Sequence, residues 1–196
     1  MLRRHFSQLA ALALVGGWNS LTVAAPKAVQ ALRLQRNGWV PNNPRLPVLV
    51  YPQAIAVQGS EPAALFERTF AANGWPPQWR YGVFDYHHYH TEGHEVLGVA
   101  SGSARLMLGG PDGHVVPVRA GDVLLLPAGT GHCNLGSSDD FLVVGAYPPG
   151  QHADICRAAP TAAQQARIDG LPFPDSDPVQ GAQGAVKQYW LSTRNT

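Results

Sequence analysis

Residues 86–95 read YHHYHTEGHE, and this stretch holds four of the eight histidines of the 196-residue chain. In an extended strand, side chains alternate between two faces. His88 and His90 would therefore share one face with Phe84 and Tyr86. Two imidazoles on one face of a strand can bind one metal ion, so the stretch predicts a metal site.

Such a site needs further ligands from outside this strand. A turn over residues 91–93 would bring the chain back antiparallel and place Glu95 beside the two histidines. A fourth ligand would then come from elsewhere in the chain, and His132 is the obvious candidate. One carboxylate beside three neutral imidazoles suits a divalent transition metal with one or two open positions.

The spacing of these residues resembles the two sequence motifs of the cupin superfamily. The first motif is Gly, five residues, His-x-His, three or four residues, Glu, six residues, Gly, and it is matched by Gly82, His88, His90, Glu95 and Gly102. The second is Gly, five residues, Pro-x-Gly, two residues, His, three residues, Asn, and its first four positions are matched by Gly121, Pro127, Gly129 and His132. The final Asn departs from the motif, since the chain has Asn134 and puts Gly136 at the expected position.

Residues 94–99, 140–148 and 177–179 are also similar to the YjlB-like branch of cupins, and this wider likeness covers residues 37–190. The resemblance implies an all-β fold, a single cupin jelly-roll barrel (double-stranded β-helix) with its core at about residues 80–148. It also implies one divalent transition metal (Fe, Mn, Ni or Zn) held by His88, His90, Glu95 and His132. It implies no particular reaction, because the activity of this branch is unassigned.

Glu95 and its neighbour His94 compete for the role of ligand. If Glu95 faces the metal, Leu97 and Val99 face the barrel interior with it, while His94 and Gly98 face outward. If His94 faced the metal instead, Gly98 would face the interior and leave a gap in its wall. The six-residue spacing from Glu95 to Gly102 in the first motif also favours Glu95. We therefore predict Glu95 as the ligand and leave open a hydrogen bond from His94 to a ligand or substrate.

The composition indicates one domain and excludes some partners. The 45% of hydrophobic residues, with 21 Gly and 17 Pro, suit one core with many turns. The 14 Lys and Arg against 13 Asp and Glu give no basic excess that would attract nucleic acid. A homodimer is left open. Two cysteines define no disulfide framework, so a Cys133–Cys156 bridge is also left open, with Cys133 expected as a small buried side chain.

The first 25 residues have the features of a signal peptide. Arg3 and Arg4 precede a short apolar run over residues 9–15, and small residues follow at 22–25. The paired arginines are similar to a twin-arginine signal, which would make residues 26–196 the mature domain in the periplasm or outside the cell. The alternative is an N-terminal extension of a cytoplasmic protein. The apolar run is too short for a stable membrane span.

Turn residues divide the rest of the chain into short strands. Strands are predicted at 95–100, 105–108, 115–118, 122–126 and 141–147, joined as a meander, with edge strands broken by proline in residues 32–57. A flanking helix is predicted from a Ser60 cap to Asn73, and a short one at 161–168. Tyr189 and Trp190 are expected to hold an irregular C-terminal segment against the barrel.

Two functional classes are compatible with these features. The first is a metal-dependent enzyme of oxygenase or isomerase type. Its small-molecule substrate would bind in a cavity lined by Phe84, Tyr86 and Asn134. The second is a non-catalytic cupin that binds or senses a small ligand through its metal. The complete four-ligand set favours the enzyme, although a jelly roll by itself does not decide between them.

Overall fold

The computed structural model describes residues 28–191, so the predicted signal peptide lies outside the described residues. In this range the chain forms nine strands, two α-helices and a final π-helical turn. The strands are β1 Gln30–Leu32, β2 Val48–Tyr51, β3 Pro77–Tyr81, β4 Glu95–Ser101, β5 Ser103–Leu108, β6 His114–Arg119, β7 Val123–Leu126, β8 His132–Ser137 and β9 Leu142–Ala146. The helices are α1 Pro62–Ala72 and α2 Ala162–Gly170, and the π-helical turn is Lys187–Leu191.

The strands form two antiparallel sheets. The larger sheet has the order β1-β2-β7-β4-β9-β3, and the smaller one has the order β6-β5-β8. Some strands that are consecutive in sequence lie in different sheets, as β4 and β5 do on either side of Gly102, whose φ is +67°. This crossing between sheets confirms the all-β jelly roll. The simple meander predicted for the connections is wrong, because β7 returns to lie between β2 and β4.

The two faces of β4 show the predicted alternation. Leu97 and Val99 belong to the core between the sheets, together with Leu106 and Leu124. Gly98 lies on the opposite face, where an added Cβ would come within 2.4 Å of the Phe66 ring. The absence of a side chain at this position therefore lets α1 pack directly on the sheet.

Helix α1 covers the outer face of the large sheet, as expected, but it begins differently. Its buried side chains include Phe66 and Phe70, and it contacts β4 and β9. The predicted Ser60 cap is wrong: the N-cap residue is Glu61, which makes no side-chain capping bond, and Pro62 occupies the first turn. Proline supplies the helical φ at a position that needs no N–H donor, so the helix can start without a polar cap.

The sheet extends beyond residues 80–148 at both of its edges. All four residues of β2 are buried, and this strand lies between β1 and β7 instead of at an edge. Pro47 and Pro52 flank β2 and do not interrupt it, so the backbone ladder is unbroken. Strand β3, where the sequence predicted no strand, forms the other edge by pairing with β9.

The C-terminal segment packs back onto the barrel. Helix α2 begins at a capping box. The Thr161 side chain accepts from the Gln164 N–H, and the Gln164 side chain accepts from the Thr161 N–H. Trp190 is fully buried, and its indole N–H donates to the Pro47 carbonyl over 2.9 Å, which confirms its predicted role. Within residues 28–191, no helix has the length and hydropathy needed to cross a membrane.

Candidate metal centre

Three histidines meet between the two sheets. His88 and His132 exchange backbone hydrogen bonds, with the His132 N–H donating to the His88 carbonyl over 2.9 Å and the His88 N–H to the His132 carbonyl over 3.2 Å. The His90 carbonyl accepts from the Gly129 N–H over 2.7 Å, which ties the same segment to the loop before β8. One ring nitrogen of each histidine lies within 4.8 Å of the others, and all three side chains are buried.

The backbone fixes the orientation and tautomer of each imidazole. Nδ1 of His88 lies 3.1 Å from the Tyr86 carbonyl, Nδ1 of His132 lies 3.0 Å from the Thr130 carbonyl, and Nδ1 of His90 is hydrogen-bonded to the Asp154 carbonyl. A carbonyl can only accept, so each Nδ1 carries the proton and each neutral ring keeps a lone pair on Nε2. Metal-ligating histidines are held in this way.

Glu95 completes the cluster from the first residue of β4. Its Oε2 lies 3.3 Å from Nε2 of His90 and 3.3 Å from Nε2 of His132. Oε2 is buried and accepts no hydrogen bond of good geometry, which leaves it free to meet a cation together with the two ring nitrogens. A buried carboxylate without a charged partner is costly, so these four side chains fit a bound metal ion.

The pKa shifts at the cluster agree with a site for a cation. Burial lowers the pKa of His88 to about 2, which keeps this ring neutral and able to ligate. Burial also disfavours a charge on Glu95, but His90 and His132 outweigh it and hold the pKa of the carboxyl well below its usual range. The carboxylate in turn raises the pKa of His90 against the effect of burial. Positive charge is therefore favoured between these groups, and a metal ion would supply it in place of a proton.

Tyr147 orients the carboxylate from the far side. Its hydroxyl donates to Oε1 of Glu95 and accepts from the Trp79 indole N–H over 3.0 Å. Burial, followed by the charge of Glu95, raises the pKa of Tyr147, so the hydroxyl stays protonated as a donor. The chain from Trp79 through Tyr147 thus leaves Oε2 of Glu95 as the oxygen that faces the histidines.

We expect Tyr147→Phe to weaken metal binding about tenfold, the lower end of what loss of a ligand's hydrogen-bond partner costs. The phenyl ring keeps the packing but leaves Oε1 of Glu95 without its donor. The measurement is competition against a chelator of known affinity. Tyr81→Phe is the matched control, because Tyr81 is 65% exposed at the mouth of the cavity. Equal losses in both variants would contradict an orienting role for Tyr147.

Asp154 supports the histidine side of the cluster. Its carbonyl accepts from His90, while Oδ1 accepts from the N–H groups of Thr91 (2.6 Å) and Glu92 (3.0 Å). The neighbouring Cys156 exchanges backbone hydrogen bonds with Tyr89. The segment after the barrel therefore fixes the turn between the two ligand-bearing stretches.

The two cysteines are free thiols in the structure. Cys133 is buried on β8 beside His132, as predicted for a small buried side chain. The Cys156 thiol donates to Oδ2 of Asp154 over 3.2 Å, and burial first and then Asp154 raise its pKa to about 12. In the structure, Cys133 and Cys156 are thus separate thiols with different neighbours.

A cavity of about 300 Å³ leads from the surface to the cluster. Its inner end is formed by the four candidate ligands and Tyr147. The remaining wall is mainly apolar and consists of Trp79, Tyr81, Gly82, Val83, Phe84, Leu97, Ala153 and Ile155. The cluster is thus accessible to a small molecule while its own side chains stay buried.

Of the three predicted substrate-contacting residues, only Phe84 lies on the wall of this cavity. Tyr86 stacks on Phe84 with ring centroids 4.9 Å apart and lies under the Arg157 guanidinium, 4.1 Å from it. The Asn134 side chain is engaged locally, where its Oδ1 accepts from the Gly136 N–H over 2.9 Å. Tyr86 and Asn134 are not part of this wall. For Tyr86, residues 82–87 form no regular strand, so the alternation used to place it does not apply.

His94 lies on the opposite face of the sheet from the cluster. Its Nδ1 accepts from the Ala128 N–H over 3.0 Å, and its ring lies 5.0 Å from the Trp190 ring. Burial lowers its pKa to about 3, so the ring is neutral. The outward direction predicted for His94 is correct, but the C-terminal segment covers this face and buries the side chain.

Three residues around the cluster were missed by the sequence reasoning: Trp79, Tyr147 and Asp154. Tyr147 falls within the resemblance to the branch and ends a predicted strand at 141–147, but neither feature indicates a role at the metal. Trp79 lies outside the predicted strands and helices, and Asp154 stands in the C-terminal segment that was expected to be irregular. No spacing relative to the motifs identifies them, since sheet order and the return of the C-terminal segment bring them into place.

Several solved structures are similar to parts of this chain. An acireductone dioxygenase from Bacillus anthracis, solved with cadmium ion in its active centre, is 21% identical with a TM-score of 0.35 over 50% of this chain and 67% of that chain. A DUF861 family protein from Thermotoga maritima is 18% identical with a TM-score of 0.29 over 46% of this chain and 94% of that one. An oxalate decarboxylase mutant from Bacillus subtilis is 22% identical with a TM-score of 0.31, and the match covers 70% of this chain and 31% of that one. No model of a protein family matches the chain.

The jelly roll and its buried three-histidine cluster define a cupin. Within that class, the chain is 37% identical over 157 residues to the uncharacterised protein YjlB of Bacillus subtilis (strain 168). The match covers 79% of this chain and 92% of that protein. The chain therefore belongs to the YjlB family of cupins.

Proposed function

We propose that this protein is a metal-dependent cupin enzyme of oxygenase or isomerase type that acts on a small molecule. His88, His90, Glu95 and His132 would hold one divalent transition metal (Fe, Mn, Ni or Zn). The observation that carries the proposal is the set of three imidazoles, each with Nδ1 held by a carbonyl, beside the free Oε2 of Glu95. Three neutral imidazoles and one carboxylate are a donor set that such metals accept.

The position of the cluster favours catalysis over a purely structural metal. When bound, such an ion would supply Lewis-acid or dioxygen chemistry at the positions that the protein leaves open. The cavity gives a substrate access to those positions, whereas structural sites are closed. Its apolar wall would exclude water around the reacting groups, and Tyr147 would keep the carboxylate in one orientation.

One observation favours the alternative, a cupin that binds or senses a ligand without turnover. Among the described residues that line the cavity, the ionisable side chains are the four candidate ligands, Tyr81 at the mouth and Tyr147. Tyr147 already donates its proton to Glu95, so the wall offers no additional carboxylate or histidine as a general acid or base. Any turnover would therefore depend on the metal itself.

We expect protein purified without chelators to contain about one equivalent of a transition metal per chain, and the matching reconstituted protein to consume oxygen or convert a compound in a substrate screen. Elemental analysis followed by oxygen-uptake measurements checks this. A full complement of metal with no turnover across the screen would support the binding alternative. Absence of any transition metal would contradict both proposals.

We also propose export of the mature chain, from the predicted signal at residues 1–25. The paired Arg3 and Arg4 followed by the apolar run support this. The expected result is a mature N-terminus near Pro26 in protein isolated from the native host, measured by mass spectrometry. An intact Met1 in the cytoplasmic fraction would contradict it.

A further inference from the structure

The chemistry of the cavity wall restricts what can reach the metal centre. Val83, Phe84 and Leu97 line the cavity, together with Ala153 and Ile155 from the segment after the barrel. Over residues 28–191, no lysine or arginine lines the cavity. The guanidinium of Arg157 is engaged with the outer ring of Tyr86, which is not part of the wall.

This wall disfavours a substrate with a second charged group. One anionic or polar end could bind at the metal, because a divalent ion beside the single carboxylate of Glu95 would keep a net positive charge. A second carboxylate or phosphate would be buried against apolar side chains without a cationic partner, and such burial is costly. Dicarboxylates and phosphorylated compounds therefore fit poorly.

The wall also has few hydrogen-bonding groups left. The Trp79 indole N–H donates to Tyr147, and the Tyr147 hydroxyl proton is donated to Glu95. Recognition of the substrate body would consequently depend on shape and on burial of apolar surface. The volume of about 300 Å³ equals about ten waters at their liquid volume, which corresponds to a molecule with roughly ten non-hydrogen atoms.

We infer that the site takes an uncharged or singly charged small molecule with one metal-binding polar end and an apolar body, such as a small aromatic or branched aliphatic group. This inference rests on the proposed metal site, because the metal would hold the polar end. The class excludes short dianions and sugar phosphates.

The test uses cobalt(II)-substituted protein and a series of hydroxamates that share one chelating head. Titrations of acetohydroxamate, butanohydroxamate and hexanohydroxamate are followed by the visible absorption of cobalt, with metal retention checked after dialysis. Each added methylene should tighten binding about fourfold until the cavity is full. The monohydroxamate of adipic acid, whose chain ends in a carboxylate, should bind at least about tenfold more weakly than hexanohydroxamate.

Two variants locate the effect in the cavity. Ile155→Lys places a cation at the mouth, where Ile155 is 50% exposed, so the fold should tolerate it. It should weaken hexanohydroxamate and strengthen the adipic monohydroxamate, with acetohydroxamate unchanged. Leu135→Lys is the control, because Leu135 is 40% exposed on β8 and does not line the cavity.

The outcomes separate this inference from the proposed function. Failure of the wild type to retain cobalt would contradict the metal site itself. Retained cobalt with equal affinities along the series, or with tighter binding of the charged chain, would overturn the substrate class alone.

Discussion

Replacement of His132 by alanine is expected to reduce the metal content to less than about a tenth of that of the wild type. Loss of a mere hydrogen-bond partner of a ligand already costs about 10–100-fold in metal affinity, and loss of the ligand itself should cost more. His132 is central to the cluster, because it lies close to two of the other candidate ligands. Its ring centroid is 4.0 Å from that of His88, and its Nε2 is 3.3 Å from Oε2 of Glu95. Elemental analysis of protein purified without chelators measures the effect.

His114→Ala provides the matched control for this experiment. His114 is exposed at the start of β6, on the small sheet and outside the cluster. It should retain the wild-type metal content. The parallel variant His88→Ala should behave like His132→Ala, and wild-type metal content in both would show that the three-histidine cluster does not hold the ion.

The second large effect is a loss of metal affinity expected in Glu95→Gln but not in His94→Gln, a variant of the neighbouring residue. Glu95→Gln keeps the shape but removes the buried negative charge, so we expect metal affinity to fall about 100-fold or more, beyond the loss of an outer partner. His94→Gln acts on the other face of β4, where it breaks the bond from the Ala128 N–H and the packing against Trp190. It should bind metal as the wild type does.

His94→Gln should instead lower stability. An unsatisfied buried donor costs about 1–3 kcal/mol, which corresponds to a drop in Tm of roughly 2–12 °C for a chain of this size. Metal titration and thermal unfolding of chelator-treated protein, run on both variants, separate the two roles. A larger loss of metal affinity in His94→Gln than in Glu95→Gln would mean that the register of β4 is wrong.

The features that follow a strict spacing could be predicted from the sequence. The motifs identified the histidines that the fold brings together, and the alternation along β4 put Leu97 inside and His94 outside. Regular backbone makes such arguments reliable, because each side chain's direction follows from its position in the strand. The same argument does not hold for Tyr86, because the chain bends just before the first ligand and forms only isolated β-bridges after it.

The features that depend on sheet order could not be predicted in this way. Tyr147 reaches Glu95 because β9 pairs with β4, with Ala146 opposite Val96. Asp154 reaches His90 because the chain returns past the turn at residues 91–93 and pairs Cys156 with Tyr89. Both contacts join residues more than fifty positions apart in sequence, and neither residue belongs to a recognisable motif.

The late position of these supporting groups has a consequence for how the protein matures. A ribosome makes the four candidate ligands first, and Tyr147 and Asp154, which orient two of them, emerge afterwards, followed by Trp190. A nascent chain that stops short of these residues carries the histidines without the carbonyl and hydroxyl that aim them. We therefore expect metal acquisition to be a post-translational step, and a truncated translation product should be a poor competitor for scarce metal in the cell.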